Sequence, residues 1–144
     1  MKINYGEVVN LMREFQRSSY LFKRTGGVHS AALCRREEIE IFAEDIGRHN
    51  AIDKVFGESL LKDIQTEDKV ALTSGRISSE IVIKVLRRGV PILISLGAPT
   101  DLAVSLAEKM RITVIGFARG RRMNVYTHGF RISEKVTGHL IKSC

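Results

Sequence analysis

From Val70 to Phe117 the chain alternates short, almost wholly apolar runs with amphipathic ones, and no other feature restricts its fold as far. Val70-Ala71-Leu72-Thr73, Val90 to Leu96 and Ile112 to Phe117 read as strands. Between them, Ile77 to Arg88 and a segment capped by Thr100 repeat apolar residues at helical spacing. The first helix is expected to turn Ile77, Ile81, Val82, Val85 and Leu86 inward and to end at Gly89. The second is expected to bury Leu102, Ala103, Leu106, Ala107 and Met110 behind its Thr100 cap. Near-continuous apolar strands linked by helices imply parallel strands covered on both faces and joined by right-handed crossovers.

Upstream, Val8, Leu11, Met12 and Phe15 give Tyr5 to about Ser19 the stripe of a surface helix. Val28 to Cys34 and Ile39 to Ala43 read as the two strands of a hairpin turning through Arg35-Arg36-Glu37-Glu38. A helix begins near Arg48 and ends around Gly57 to Leu61. The expected architecture is α/β, a three-layer α/β/α sandwich whose mixed sheet joins the N-terminal hairpin to the parallel strands. All 144 residues are expected to form one domain.

Composition narrows the partners. No apolar run approaches the roughly 18 residues of a membrane span, and the N-terminus, with Glu7, does not read as a signal peptide; cytoplasmic residence is the default. The two cysteines, Cys34 and Cys144, give neither zinc spacing nor a disulfide framework, and Cys34 in a strand pattern is expected to be a small buried hydrophobe. The net charge of +7, from 23 Lys and Arg against 16 Asp and Glu, implies an anionic partner, either nucleic acid or a phosphorylated cofactor.

In an open α/β sheet, ligands gather at the carboxyl ends of the strands. Four unusual segments fall there: Glu44 to Asn50, Thr73 to Glu80, Gly97 to Thr100 and Ala118 to Met123. The helix that begins near Arg48 takes most of its stripe from Ile52, Val55, Phe56, Ser59 and Leu60, so Asp45, Arg48, His49 and Asn50 are not needed for packing. Helix N-termini carry free N–H groups and partial positive charge. Set beside Arg48, Arg76, Arg119, Arg121 and Arg122, with Ser74, they predict an anion-binding crevice. Each piece also has a plainer reading: Thr73-Ser74-Gly75 and Pro99-Thr100 as helix caps, residues 119–122 as a solvated turn, Asp45 and its neighbours as a capping ion-pair cluster, and His29 as a satisfied core histidine.

Other chemistries fit less well. Ser74 and His49 could meet, but no Gly-x-Ser-x-Gly nucleophile elbow exists. Gly120-Arg121-Arg122 after Arg119 runs into a strand and not a helix, so the dinucleotide fingerprint is missing. The order helix, hairpin, helix-strand units is that of the zinc deaminases, whose metal is held at the N-termini of the second and third helices. His49 sits at the first place, but the segment from Thr73 to Ser78 has no thiol at the second. The expectation is a deaminase-like scaffold without zinc, and neither a metal ligand nor a catalytic residue is assigned.

Five motifs, in one order, resemble the formate dehydrogenase accessory sulfurtransferases, the FdhD family. They are Thr25-Gly26-Gly27-Val28-His29-Ser30-Ala31-Ala32, residues 44–54, residues 74–80, Ala98-Pro99-Thr100-Asp101-Leu102-Ala103, and Gly116-Phe117-Ala118-Arg119-Gly120 leading to Asn124-Val125-Tyr126-Thr127. The resemblance implies a cytidine deaminase-like fold without zinc. It also implies a cytoplasmic homodimer that passes sulfur from a cysteine desulfurase to the molybdenum cofactor of formate dehydrogenase, in its bis(molybdopterin guanine dinucleotide) form. The segment matching Ala118, Arg119, Gly120, Arg121, Arg122 and Met123 is the one the family uses for that cofactor, and GDP is a partial mimic of it. The family carries persulfide sulfur on an upstream Cys-x-x-Cys loop, which this sequence lacks. The chain is therefore expected to be the cofactor-binding, C-terminal part of a longer protein; the other possibility is a member that binds cofactor without carrying sulfur. Two rival readings are a deaminase-like hydrolase, disfavoured by the missing thiols, and a basic RNA-binding module, which rests on charge alone and has only 6% aromatics and no Trp to stack bases.

Overall fold

The computed structural model describes residues 1–19 and 26–133, and the backbone of 141–143. Thr25 of the first motif and Cys144 lie outside the described residues. Strands β1 (Ile3–Asn4), β2 (His29–Arg35), β3 (Glu38–Asp45), β4 (Val70–Thr73), β5 (Ile92–Ser95), β6 (Thr113–Arg119), β7 (Arg122–Val125), β8 (Ile132–Ser133) and β9 (Ile141–Ser143) alternate with helices α1 (Tyr5–Ser18), α2 (Arg48–Leu61), α3 (Ser79–Arg87) and α4 (Asp101–Lys109). The main sheet runs β3-β2-β4-β5-β6-β7-β9, and β1 pairs with β8 apart from it. Its centre, β4-β5-β6, is parallel, whereas β2 and β3 run antiparallel to their neighbours and β7 runs antiparallel to β6 but parallel to β9.

Side chains alternate across the strands into two cores. Leu33, Ala71, Leu93 and Val114 pack on one face with α2, α3 and α4, through residues such as Ile52, Val55, Ile81, Val85 and Ala107. Cys34, Leu72, Ile94 and Ile115 pack on the other face with Val8, Leu11, Met12 and Phe15 of α1. The layers are thus helices, sheet, helix, as expected. Cys34 is fully buried, and burial pushes its thiol well above the usual range.

Several element boundaries and faces differ from expectation. Ile77 does not open α3; it forms a parallel bridge with Pro99, and Ser78 caps the helix by accepting the Ile81 N–H. Gly89 does follow α3, at a φ of +71° that an L side chain rarely adopts. Leu86, Leu102 and Met110, expected inside, are exposed. Ala103 and Ala107 alone form the buried seam of α4, because small side chains bring that helix close to the sheet and lift its flanking positions out.

Candidate functional site

The loops after β4 and β5 are laced to one another before they can present anything. The Ile77 N–H donates to the Ala98 carbonyl and the Thr100 N–H to the Ile77 carbonyl, while the buried Ser95 hydroxyl donates to the Gly75 carbonyl at 2.5 Å and accepts the Gly97 N–H at 2.9 Å. Thr100 also caps α4 by accepting the Ala103 N–H. Much of what the sequence offered here as site is therefore scaffold.

Ser74 is more than a cap. Antiparallel pairing of β2 with β4 brings His29 and Ser30 to the carboxyl end of β4. The Ser74 hydroxyl there accepts the Ser30 N–H at 2.9 Å and lies 3.3 Å from His29 Nδ1. Arg48, the first residue of α2, lays its side chain on Gly75: a Cβ at that glycine would stand 2.8 Å from Arg48 Cδ and 3.2 Å from His29 Nδ1. Arg48 Nε is buried with no hydrogen-bond partner among the described residues, an uncommon state for so polar an atom. The structure thus brings Arg48 and Ser74 together and adds His29, which the sequence favoured as core; only the contact across β2 and β4, which is not local in sequence, shows its place.

Asp45 and Asn50 are engaged otherwise. Asp45 Oδ1 accepts the Gly47 N–H at 3.0 Å and Asn50 Nδ2 at 3.3 Å, and Oδ2 pairs with Lys54 Nζ at 2.9 Å. The Gly47 N–H and then Lys54 hold the Asp45 carboxyl down at about 2. This is an ion-pair cluster that closes the turn before α2 and not a helix cap, because the N-cap is Gly47 and Asp45 takes the N–H of Gly47 itself. His49 is half-buried in the first turn of α2, and Arg76 is exposed at the loop before α3.

The basic segment is a hairpin turn between β6 and β7, with Arg119 paired to Arg122 and Gly120 at a φ of +57°. Arg119, Gly120, Arg121 and Arg122 are exposed, but Ala118 and Met123 are buried against α1, so their side chains cannot line a crevice and only their backbone could reach a ligand. A bulge precedes the turn, where Phe117 and Ala118 stand against Met123 alone. Phe117 adopts a φ of +51° and is exposed, a conformation uncommon for a bulky residue. The Tyr5 hydroxyl, at the start of α1, donates to the Arg121 carbonyl and pins the turn over that helix. Burial raises the Tyr5 hydroxyl above its ordinary value, against the opposing pull of the Arg121 charge, so it stays a donor. Between helix and turn lies a cleft of about 430 Å³ lined by Val9, Arg13, Gln16, Arg17, Gly120 and Arg121.

The residues expected to line one crevice fall into two groups: Arg48 and Ser74, with His29, at the end of β4, and the arginine turn over α1, of which only Gly120 and Arg121 line the cleft. They are joined through glycine contacts. A Cβ at Gly97 would fall 3.3 Å from the Gly75 carbonyl carbon, and the Gly97 carbonyl accepts the Phe117 N–H at 2.9 Å. The polar face of α1 and Phe117 were missed, the first because a charged helix face looks like ordinary solvent surface, the second because a lone aromatic at a strand end looks like core. Among the described residues no cluster of three or more His, Cys, Asp or Glu is placed to hold a metal ion, and no helix is long and apolar enough to cross a membrane.

Comparison with known proteins places the chain by family and fold. The chain is 48% identical over 134 residues to the sulfur carrier protein FdhD of Bacillus pumilus (strain SAFR-032), covering 93% of this chain and 51% of the relative. It is equally similar, with the same coverage, to that of Bacillus subtilis (strain 168). It is 46% identical to that of Wolinella succinogenes, over 92% of this chain and 46% of the relative. The chain thus spans about half the length of the curated relatives it matches. Among solved structures, a formate dehydrogenase accessory protein from Desulfotalea psychrophila superposes with a TM-score of 0.86 at 34% identity, covering 92% of this chain and 59% of the other. The deaminase-like order is matched as fold alone by a diaminohydroxyphosphoribosylaminopyrimidine deaminase/5-amino-6-(5-phosphoribosylamino)uracil reductase from Thermotoga maritima, with a TM-score of 0.59 at 11% identity over 81% of this chain and 38% of the other. The model of the FdhD/NarQ family matches residues 1–133, and the chain belongs to that family.

Proposed function

We propose that this chain is the cofactor-binding part of a sulfur carrier for formate dehydrogenase maturation. Its cargo is the molybdenum cofactor in its bis(molybdopterin guanine dinucleotide) form, which receives sulfur that a cysteine desulfurase supplies. The observation that carries the reading is the arginine turn pinned over α1 by Tyr5. Arg119, Arg121 and Arg122 project from a tight hairpin whose Arg121 carbonyl, which would repel an anion, is already tied to a hydroxyl. Guanidinium forks suit the paired oxygens of a pyrophosphate. The exposed Phe117, beside the turn and bonded to Gly97, offers a flat apolar surface for a ring, and Arg48, whose Nε has no hydrogen-bond partner among the described residues, offers a further donor along the same rim.

Sulfur transfer itself needs a thiolate, which attacks and leaves well. Cys34 is unsuited to that task, since it is fully buried and its thiol is held in the neutral form. On this reading Cys34 does not carry the persulfide, and this chain positions the cofactor to receive the sulfur. Cytoplasmic residence and a homodimer belong to the same proposal.

Titration calorimetry with GDP tests it. Saturable binding that weakens when Arg119 and Arg121 are both changed to Ala is expected. No heat at millimolar GDP, or binding untouched by that change, would overturn the reading.

A further inference from the structure

We infer that the layer formed by α2, α3 and α4 is the face on which a second copy of this chain docks, with α3 and α4 of the two copies lying antiparallel on one another. The inference rests on the homodimer of the reading above and names its interface; it uses no residue of the arginine turn.

The large apolar side chains left outside the two cores are not scattered. Ten are exposed among the described residues, and six of these, Leu60, Leu61, Ile83, Leu86, Leu102 and Met110, belong to α2, α3, α4 or the residue that caps α4. None belongs to α1, on the opposite side of the sheet. Apolar surface gathered on one layer in this way marks a contact face.

Helical phase sets these side chains beside one another. On α3, Ile81, Val82 and Val85 face the core, and Lys84 flanks them on the side of α2, where it pairs with Asp53 at 2.7 Å. Ile83 and Leu86 therefore lie on the flank toward α4. The two helices pack side by side and run in the same direction, since each joins one parallel strand to the next. Around the buried Ala103 and Ala107, the flank of α4 that faces α3 then carries Leu102, Leu106 and Met110, of which only Leu106 packs partly against the core. The result is an apolar seam between α3 and α4. The periodicity that placed Leu86, Leu102 and Met110 inside thus describes a burial that one chain does not provide and a second one can.

Charge selects the occupant. Glu80 opens α3 and Arg87 closes it; Asp101 opens α4 and Lys109 closes it. All four are exposed, and none makes an ion pair among the described residues, unlike Lys84 and Asp53 on the same layer. Acid first and base last suits each helix's own dipole, and it also makes the face complementary to itself. A twofold axis lying across the helices sets Glu80 against Arg87 and Asp101 against Lys109 of a second copy, and symmetry makes each pair twice. The same operation brings Leu102 of one copy to Met110 of the other, with Leu106 midway. A strongly basic or acidic partner would ask for one sign of charge on this face, and both are present.

The expected affinity is modest. α3 and α4 have nine residues each, so the seam is only about 14 Å long. Leu60, Leu61 and the charged rim must join it to approach the roughly 800 Å² per partner of a standard interface. A dimer with micromolar Kd fits that size, and it leaves α1 and the arginine turn open on the far side of the sheet.

Sedimentation equilibrium of the 144-residue chain from about 1 to 200 µM tests the inference. The parent should dimerise, and Leu86→Glu/Leu102→Glu should raise Kd about tenfold or more while the far-UV circular dichroism stays that of the parent, because both positions are exposed. Two charge-reversed chains, Glu80→Lys/Asp101→Lys and Arg87→Glu/Lys109→Glu, should each be monomeric alone and should associate when mixed in equal amounts, since every facing pair is then again of opposite sign. Misfolding could not produce that recovery. A parent dimer indifferent to the leucine change, or a mixture no more associated than its components, would overturn this face and leave the homodimer and cofactor readings standing. A parent still monomeric at the highest concentration would overturn the face and the homodimer together, while GDP titration judges the cofactor reading separately.

Discussion

Asp45 shows how a residue picked out as chemistry can belong to the scaffold. Its carboxylate takes the Gly47 N–H, Asn50 and Lys54, and its pKa is held at about 2, below the ordinary carboxylate value. The folded value is depressed, so the stabilisation is complete above the unfolded value near 4 and is lost as pH falls through about 2. Asp45→Ala should therefore be less stable than the parent at neutral pH, with the gap narrowing between pH 4 and pH 2. Urea denaturation across that range measures it; a gap independent of pH would contradict the turn-closing role of the carboxylate. Residue types near a helix start made Asp45, Arg48, His49 and Asn50 visible in the sequence, but not which of them points to its own backbone. That depends on contacts such as Arg48 against Gly75, which join residues 27 positions apart. Ala118 and Met123 illustrate the same limit: within a basic segment they read as site, while strand alternation turns their side chains into the core.

At the scale of elements, the alternating pattern located the strands and helices well, because each apolar run had one face or two to bury. It failed where packing distance decides, as in α4, whose alanines sit close to the sheet and leave Leu102 and Met110 outside. The basic hairpin turn depends on a similar close approach. Gly116 of β6 lies against the loop after β5: a Cβ there would come within 2.9 Å of the Gly97 carbonyl oxygen, 2.9 Å of the Tyr126 ring and 3.0 Å of Pro99. One of those neighbours is backbone and cannot swing aside. Gly116→Ala should cost about 1–3 kcal/mol of stability through overpacking and should weaken GDP binding by displacing the bulge that leads into the turn. Thermal melting together with calorimetry would show both; an unperturbed melting temperature would mean the loop after β5 is softer than its hydrogen bonds suggest. Glycine in a strand is legible in the sequence as a close approach of some kind, but the partner in that approach is not.

For the whole molecule, the net charge of +7 was legible from composition, and its organisation was not. Many basic residues away from the cleft are paired with acids on the surface, as Lys54 is with Asp45, Lys62 with Glu58 and Lys84 with Asp53. Such exposed pairs are worth at most about 1 kcal/mol each, so adding salt should change folding stability little. Arg119, Arg121 and Arg122 project from one exposed turn, and their attraction for a diphosphate acts over distances that salt screens: the Debye length falls from about 10 Å at 0.1 M to about 3 Å at 1 M. GDP affinity should therefore drop roughly tenfold between 0.1 M and 1 M KCl while the urea midpoint moves little. In the Arg119→Ala/Arg121→Ala variant the slope of log Kd against log salt should be shallower, because fewer charges then meet the phosphates. Parallel titrations in KCl of the parent and the variant decide between a field concentrated at this cleft and one spread over the surface, in which case the two slopes would coincide.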